Sequence, residues 1–323
     1  MGDAAPRVGL VLGAGGVAGG AFHAGVLAAL EEATGWDPRG AGIVVGTSAG
    51  SIAGTSLRAG LSATDMLARA EDRPLSVAGT RLMQRVGPPR RPPSLRPTQP
   101  PRAPAQLAGT LARAAARPFA ARPWALIAGL IPEGSVSTDV ISNGIGALLP
   151  GEWPSDPLWI CAVRQRDGRR LVFGKDSRPG LPDAVAASCA IPGFFSPVTI
   201  GGEPYIDGGV HSPTNADVLA DAGPDLDLVL VSSPMSLSGR GVRLAADQAV
   251  RRWSGALLDS EAFRLRRRGM SVVAFQPTAE DAGVMGVNAM DASRRTAIAR
   301  RAYESTLRRL ARTDTQARLA PLR

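Results

Sequence analysis

Val8-Gly9-Leu10-Val11-Leu12 running into Gly13-Ala14-Gly15-Gly16-Val17-Ala18-Gly19-Gly20, and Ile43-Val44-Val45 running into Gly46-Thr47-Ser48-Ala49-Gly50, set down one pattern twice. Each begins as a short apolar, β-branched run, the composition of a strand buried on both faces. Each then breaks into small residues that suit a tight turn. Helix follows both times: Phe22, Val26, Leu27 and Leu30 recur at three- and four-residue spacing, as in a helix packed on a sheet, and 52–57 reads as the second helix. Strand, turn, helix, repeated in sequence, implies a parallel sheet covered by helices, an α/β fold.

Downstream the pattern predicts a helix over 138–149, strands over 158–163 and 170–173 turned by Asp167-Gly168, and a short helix over 184–189. Tyr205-Ile206 leads into Asp207-Gly208-Gly209. A buried strand over 226–231, a long helix over 244–267, a strand over 271–275 and a last helix over 291–310 complete the chain. No repeat of solenoid period is visible.

The 323 residues suit one elaborated domain, 1–323, with an insertion at 77–132. Hydrophobic residues at 44% are enough for a packed core, and 38 Gly with 27 Pro fall short of low-complexity disorder. No run of about 18 apolar residues occurs, and the N-terminus lacks a secretory pattern, so a cytoplasmic protein is expected. Cys161 and Cys189 read as small buried hydrophobes, and with His23 and His211 the only histidines, no metal site is expected.

The net charge of +9 matches the nine arginines between Arg81 and Arg122, a stretch with no Asp or Glu. The piece from 86 to 104 holds eight prolines and is expected to be a surface excursion without regular structure. After it, Leu107, Leu111, Phe119, Trp124 and Leu126 interleave with Arg113, Arg117 and Arg122, an amphipathic basic stretch. Contact with an anionic membrane through 81–131 is one expectation and a solvated linker another. Nucleic acid is not expected, because no reader fold and no stacking aromatics accompany the charge.

Gly46-Thr47-Ser48-Ala49-Gly50 fits the G-x-S-x-G elbow, in which Gly46 and Gly50 allow a turn that presents the serine hydroxyl at a helix N-terminus. The loop over 13–20 admits more than one use. Gly13-x-Gly15-x-x-Ala18 fits a dinucleotide loop, although no carboxylate ends the second strand. A Walker loop is excluded, since Lys175 is the only lysine. The amides of Gly15 and Gly16 also suit an oxyanion hole. Asp207-Gly208-Gly209 puts a carboxylate at a strand end, after Ser188-Cys189-Ala190-Ile191-Pro192-Gly193-Phe194-Phe195 and before Pro213 and Asn215.

Taken together, the Gly-rich loop, the Gly-x-Ser-x-Gly elbow, Ala190-Ile191-Pro192-Gly193-Phe194-Phe195 and Tyr205-Ile206-Asp207-Gly208-Gly209-Val210 resemble the patatin-like phospholipases across residues 8 to 220. The resemblance implies a three-layer α/β fold with a mostly parallel central sheet, interrupted by the Pro/Arg-rich and helical insertion. It implies a Ser48–Asp207 dyad without histidine or cofactor, an oxyanion hole at Gly15 and Gly16, and hydrolysis of phospholipid or lysophospholipid acyl esters, hence lipid degradation. A non-catalytic, lipid-binding member of the same fold is the alternative. One departure stands out: Ala18, or Gly19 where the following helix sets the alignment, occupies the place where the family's loop usually carries Arg or Lys. Action in the cytoplasm, peripheral at the inner face of the membrane, is the matching expectation. A Ser48–Asp207–His211 triad is disfavoured because His211 follows Asp207 by only four residues, and His23 is expected to be packed or hydrogen-bonded.

Overall fold

The computed structural model describes residues 6–87, 134–151, 153–221, 226–238 and 246–322. Most of the basic insertion, and with it the expected excursion and amphipathic stretch, lies outside the described residues. Its first ten residues form helix α4, Val77–Val86, against helix α5, Asp139–Leu148.

The two opening units fold as their sequence predicts. Strand β1, Val8–Leu12, leads to helix α1, Gly16–Thr34, and strand β2, Ile43–Thr47, leads to helix α2, Ala49–Arg58. The first turn is shorter than expected. Helix α1 already starts at Gly16, so Gly19 and Gly20 are helical. Helix α3, Ala63–Ala70, and α4 were not foreseen; they are only eight and ten residues long. Their signals are caps: the Ser62 and Ser76 hydroxyls accept from the amides of Asp65 and Gly79. The Asp65 carboxylate then joins the two helices by accepting from the Ser76 amide and hydroxyl at 2.7 and 2.8 Å.

Strand β3, Leu158–Arg164, is followed by β4, Arg170–Phe173, helix α6, Leu181–Ser188, and strands β5, Val198–Ile200, and β6, Glu203–Asp207. Strand β7, Leu228–Ser232, helix α7, Ala246–Arg267, and strand β8, Ser271–Phe275, come next. Helices α8, Ala279–Met285, α9, Arg295–Leu310, and α10, Thr313–Leu319, close the chain. The short β5 and helices α8 and α10 were not foreseen. Thr278-Ala-Glu-Asp281 in fact carries a full capping box for α8.

These strands form one eight-stranded sheet, bonded in the order β5-β6-β3-β2-β1-β7-β8 with β4 also on β3. The β3-β2-β1-β7-β8 part is parallel, and β4, β5 and β6 pair antiparallel. Side chains alternate between two cores as the period of a strand dictates. Leu10, Val44, Leu230 and Val273 face a core with α1, α2, α3, α6 and α9, and Val11, Val45, Val229 and Val272 face one with α7 and residues 216–219. The result is a mostly parallel sheet between two helical layers.

Candidate active site

Ser48 is the single residue between β2 and α2, and its backbone is at φ 53° and ψ −120°. A positive φ in a non-glycine residue costs about 1–3 kcal/mol, so its surroundings must hold it there. The Ser188 hydroxyl accepts from the Ser48 amide at 2.9 Å and donates to the Cys161 carbonyl at 2.7 Å, tying the elbow to β3. The Ser51 amide and hydroxyl both donate to the Ser48 carbonyl, at 2.8 and 2.6 Å. The flanking glycines are steric requirements: a Cβ on Gly50 would lie 1.9 Å from the Leu12 carbonyl oxygen, and one on Gly46 2.5 Å from Ser51 Cα.

The register of β3 brings Asp207 to this elbow. Cys161 is flanked by Thr47 and Val172, and the next residue, Ala162, by Asp207 and Leu171. Since β4 takes one edge of β3 at both positions, β2 and β6 abut end to end along the other. The last residue of β6 therefore sits beside the turn that follows β2. Asp207 is buried, and its Oδ1 accepts from the Gly209 amide at 2.7 Å. Burial raises its carboxyl to about 6, against the opposing pull of the neighbouring Ser48 hydroxyl and the Gly209 amide.

Behind Asp207, the Asn215 side-chain amide donates to Thr47 Oγ1 and to the carbonyls of Gly208 and Ser212, at 3.1, 3.2 and 2.6 Å. The Glu261 carboxylate, from α7, accepts from the Ser212 and Thr214 hydroxyls and the Ala216 amide, at 2.5, 2.6 and 2.9 Å. Burial and the nearby Asp217 push Glu261 up. The Arg170 guanidinium meets Asp217 at 2.6 Å and brings that carboxyl below its usual range despite burial. His211 acts electrostatically on Asp217 as well.

The loop before α1 packs against the same segment. Its Gly13 amide donates to the Ser232 carbonyl and its Ala14 amide to the Pro213 carbonyl, at 3.0 and 2.7 Å. The amides of Gly15 and Gly16 find no acceptor among the described residues. Gly16 is at φ +59°, and a Cβ there would collide with the Ala289 carbonyl. His23 is fully buried beneath, with Nε2 2.8 Å from the Gly13 carbonyl and Nδ1 2.8 Å from Ser232 Oγ. A carbonyl only accepts, so Nε2 carries the proton and Nδ1 takes the Ser232 hydroxyl's. Burial lowers this imidazole to about 4, outweighing the Gly13 bond, so it is neutral at pH 7. His23 is thus packed and hydrogen-bonded as its setting predicts, and it fixes the loop's backbone.

Gly16 and Ser48 line one cleft of about 410 Å³. Its walls are mainly small and apolar, from Ala21, Ala24, Ala53, Leu61 and Met66, with Ile191 and Phe195 of the segment before β5. Among the described residues no group of three His, Cys, Asp or Glu is placed to hold a metal ion, and no helix is long and apolar enough to cross a membrane.

The structure thus gathers Ser48, Asp207, Gly208, Gly209, Gly46, Gly50 and the Gly15-Gly16 loop into one region. Sequence reasoning missed Ser188 and Glu261 as supports and His23 as the loop's anchor. Their partners lie 140, 45 to 49 and up to 209 residues away, and no local pattern announces such contacts.

A family model described as patatin-like phospholipase matches residues 10–220. Among solved structures, VipD from Legionella pneumophila aligns at 15% identity and a TM-score of 0.39, over 95% of this chain and 66% of that one. Human GIVD cytosolic phospholipase A2 in complex with methyl gamma-linolenyl fluorophosphonate aligns at 14% and 0.40, over 99% and 59%. The family match spans well over half of the chain, from β1 through the Asp207 loop to residue 220, and on that ground the chain belongs to the patatin-like phospholipase family.

Proposed function

We propose that the chain is a serine acyl hydrolase of phospholipase A or lysophospholipase type, cleaving lipid acyl esters through Ser48 and Asp207 with no metal or nucleotide. The observation that carries this reading is a serine held at positive φ on an apolar cleft, beside a buried aspartate raised to about 6. A carboxylate of that basicity is ionised at neutral pH and far better matched to a proton-transfer role than an ordinary aspartate.

Ser48 Oγ attacks the ester carbonyl carbon while its proton passes to Asp207. The carbonyl oxygen becomes an oxyanion, for which the unpaired amides of Gly15 and Gly16 supply donors. Collapse expels the alcohol, which takes the proton from Asp207, and leaves an acyl ester on Ser48. Water then attacks that ester with Asp207 again accepting the proton, and fatty acid and free Ser48 are released. The basic stretch 81–131 supports action at an anionic surface, in keeping with a cytoplasmic protein peripheral to the membrane.

Hydrolysis of a lipid panel and of a small soluble ester, by wild type beside Ser48→Ala, tests the reading. We expect Ser48→Ala to lose activity on the order of a thousandfold or more while keeping its fold and losing fluorophosphonate labelling. In wild type, kcat/KM should fall as pH drops through about 6, where Asp207 takes up its proton. Retained turnover in the variant would sink the assignment.

A further inference from the structure

The rim of the same cleft holds two guanidinium groups with no catalytic duty assigned above. Arg69, in the last turn of α3, and Arg295, the first residue of α9, both line it. Arg295 donates to the Ala70 carbonyl and pairs with Asp72. Glu71, the other carboxylate beside them, is shared by Arg73 and Arg300. The side chain of Arg69 has neither hydrogen bond nor ion pair among the described residues. Arg69 is exposed at the cleft, and its guanidinium pKa is pushed down first by desolvation from the groups packed around it and then by the charge of Arg295, which lies close enough to act on it.

Two cations side by side repel, and an anion placed between them removes that cost. Guanidinium groups bind phosphate oxygens through paired N–H donors. Apolar walls, a nucleophile and an outer cationic pair match a molecule with an acyl chain, an ester and an anionic head. We propose that Arg69 and Arg295 form an anion subsite that takes the phosphate of the substrate's head group, so that phosphate-bearing acyl esters bind in preference to neutral glycerides. This rests on the acyl-hydrolase reading for the identity of the substrate. Its test reads binding, and so is separable from turnover.

The ligands are a short-chain dialkyl ether analogue of phosphatidic acid and the corresponding neutral dialkylglycerol, both kept monomeric so that no charged surface contributes. Calorimetry measures each against Ser48→Ala, with and without Arg69→Gln or Arg295→Gln. We expect Arg69→Gln to weaken the phosphate ligand about tenfold or more, the size of a lost charge-assisted hydrogen bond, and to leave the neutral one within about twofold. Arg69→Lys should recover part of the loss, and inorganic phosphate should compete with the phosphate ligand before Arg69→Gln but much less after it. Arg295→Gln also breaks the Asp72 pair, so Arg69 carries the decision. Equal weakening of both ligands, or no weakening of the phosphate ligand, overturns the subsite. Competition by inorganic phosphate without preference between the two lipids also overturns it, since the anion would then be free phosphate and not a head group. If ester hydrolysis proves independent of Ser48 while these affinities behave as expected, the catalytic reading fails and the subsite stands.

Discussion

Asp207 and His23 are both buried and pull the protein's acid response in opposite directions. Asp207 goes from about 3.8 in the unfolded chain to about 6 in the fold, so the native state binds more protons between those values and stability falls as pH rises through them. His23 goes from 6.5 to about 4, so there the unfolded chain binds more protons and stability falls as pH drops. Each shift corresponds to about 3 kcal/mol, and over pH 4 to 6 the two slopes offset one another. Asp207→Asn should therefore be more stable than wild type at pH 7.5, by up to about 3 kcal/mol, with the advantage shrinking toward pH 4. The same variant should show a steeper loss of stability from pH 6.5 to 4, because His23 is then no longer opposed by Asp207. Urea unfolding at four pH values checks this, and a pH-independent gain would mean that Asp207 is not held up by burial. The elbow serine, Ser48, was legible in the sequence because its backbone demand is written locally, in Gly46 and Gly50. Asp207 had a local mark in its two glycines. His23 and Ser188 look like any packed histidine or helical serine until the distant Ser232 hydroxyl and the Cys161 carbonyl come beside them.

At the scale of elements, the elbow is held to β3 by one hydroxyl. Ser188→Ala removes the acceptor of the Ser48 amide and the donor to the Cys161 carbonyl, leaving two buried groups unpaired. We expect about 2–4 kcal/mol of destabilisation by urea unfolding, with a fall in kcat larger than the change in KM, since the turn that carries the proposed nucleophile loosens while the cleft walls stay. A matched fall in apparent affinity alone would place Ser188 outside this role. The long parallel strands were legible because burial on both faces demands unbroken β-branched runs. Helices α3, α4 and α8 escaped because each is only seven to ten residues long and its start is marked by a cap rather than by a long apolar repeat. Strand β5 has three residues and is set by pairing with β6 rather than by composition.

For the whole molecule, the charge asymmetry in the sequence has a consequence that the site does not require. Replacing 88–122 by a short Gly-Ser linker removes seven arginines and leaves α4, α5 and every residue of the proposed dyad in place. Binding to anionic vesicles should weaken by about 1 kcal/mol for each arginine that reaches the surface, and less at high salt. Cleavage of a soluble ester should persist. Vesicle sedimentation at two salt concentrations, paired with soluble-ester kinetics, checks both halves; unchanged vesicle binding would reduce the segment to a linker.

The placement of β1 and β2 carries a last consequence. Both precede the insertion, yet β1 is bonded to β7 and β2 to β3, so the chain before residue 87 is a wedge driven into the middle of a sheet whose other strands all come after residue 134. Ser48 rides on the wedge and Asp207 on the split remainder. A chain severed at an engineered protease site near residue 100 should therefore stay in one piece in solution, clasped by strand pairing on both sides, and keep hydrolysing a soluble ester. The two fragments made separately should each be inert and, mixed during refolding, should complement one another to restore activity. Size-exclusion chromatography of the nicked protein and activity of the mixed halves would reveal whether the wedge is held by the sheet or only by the covalent connection.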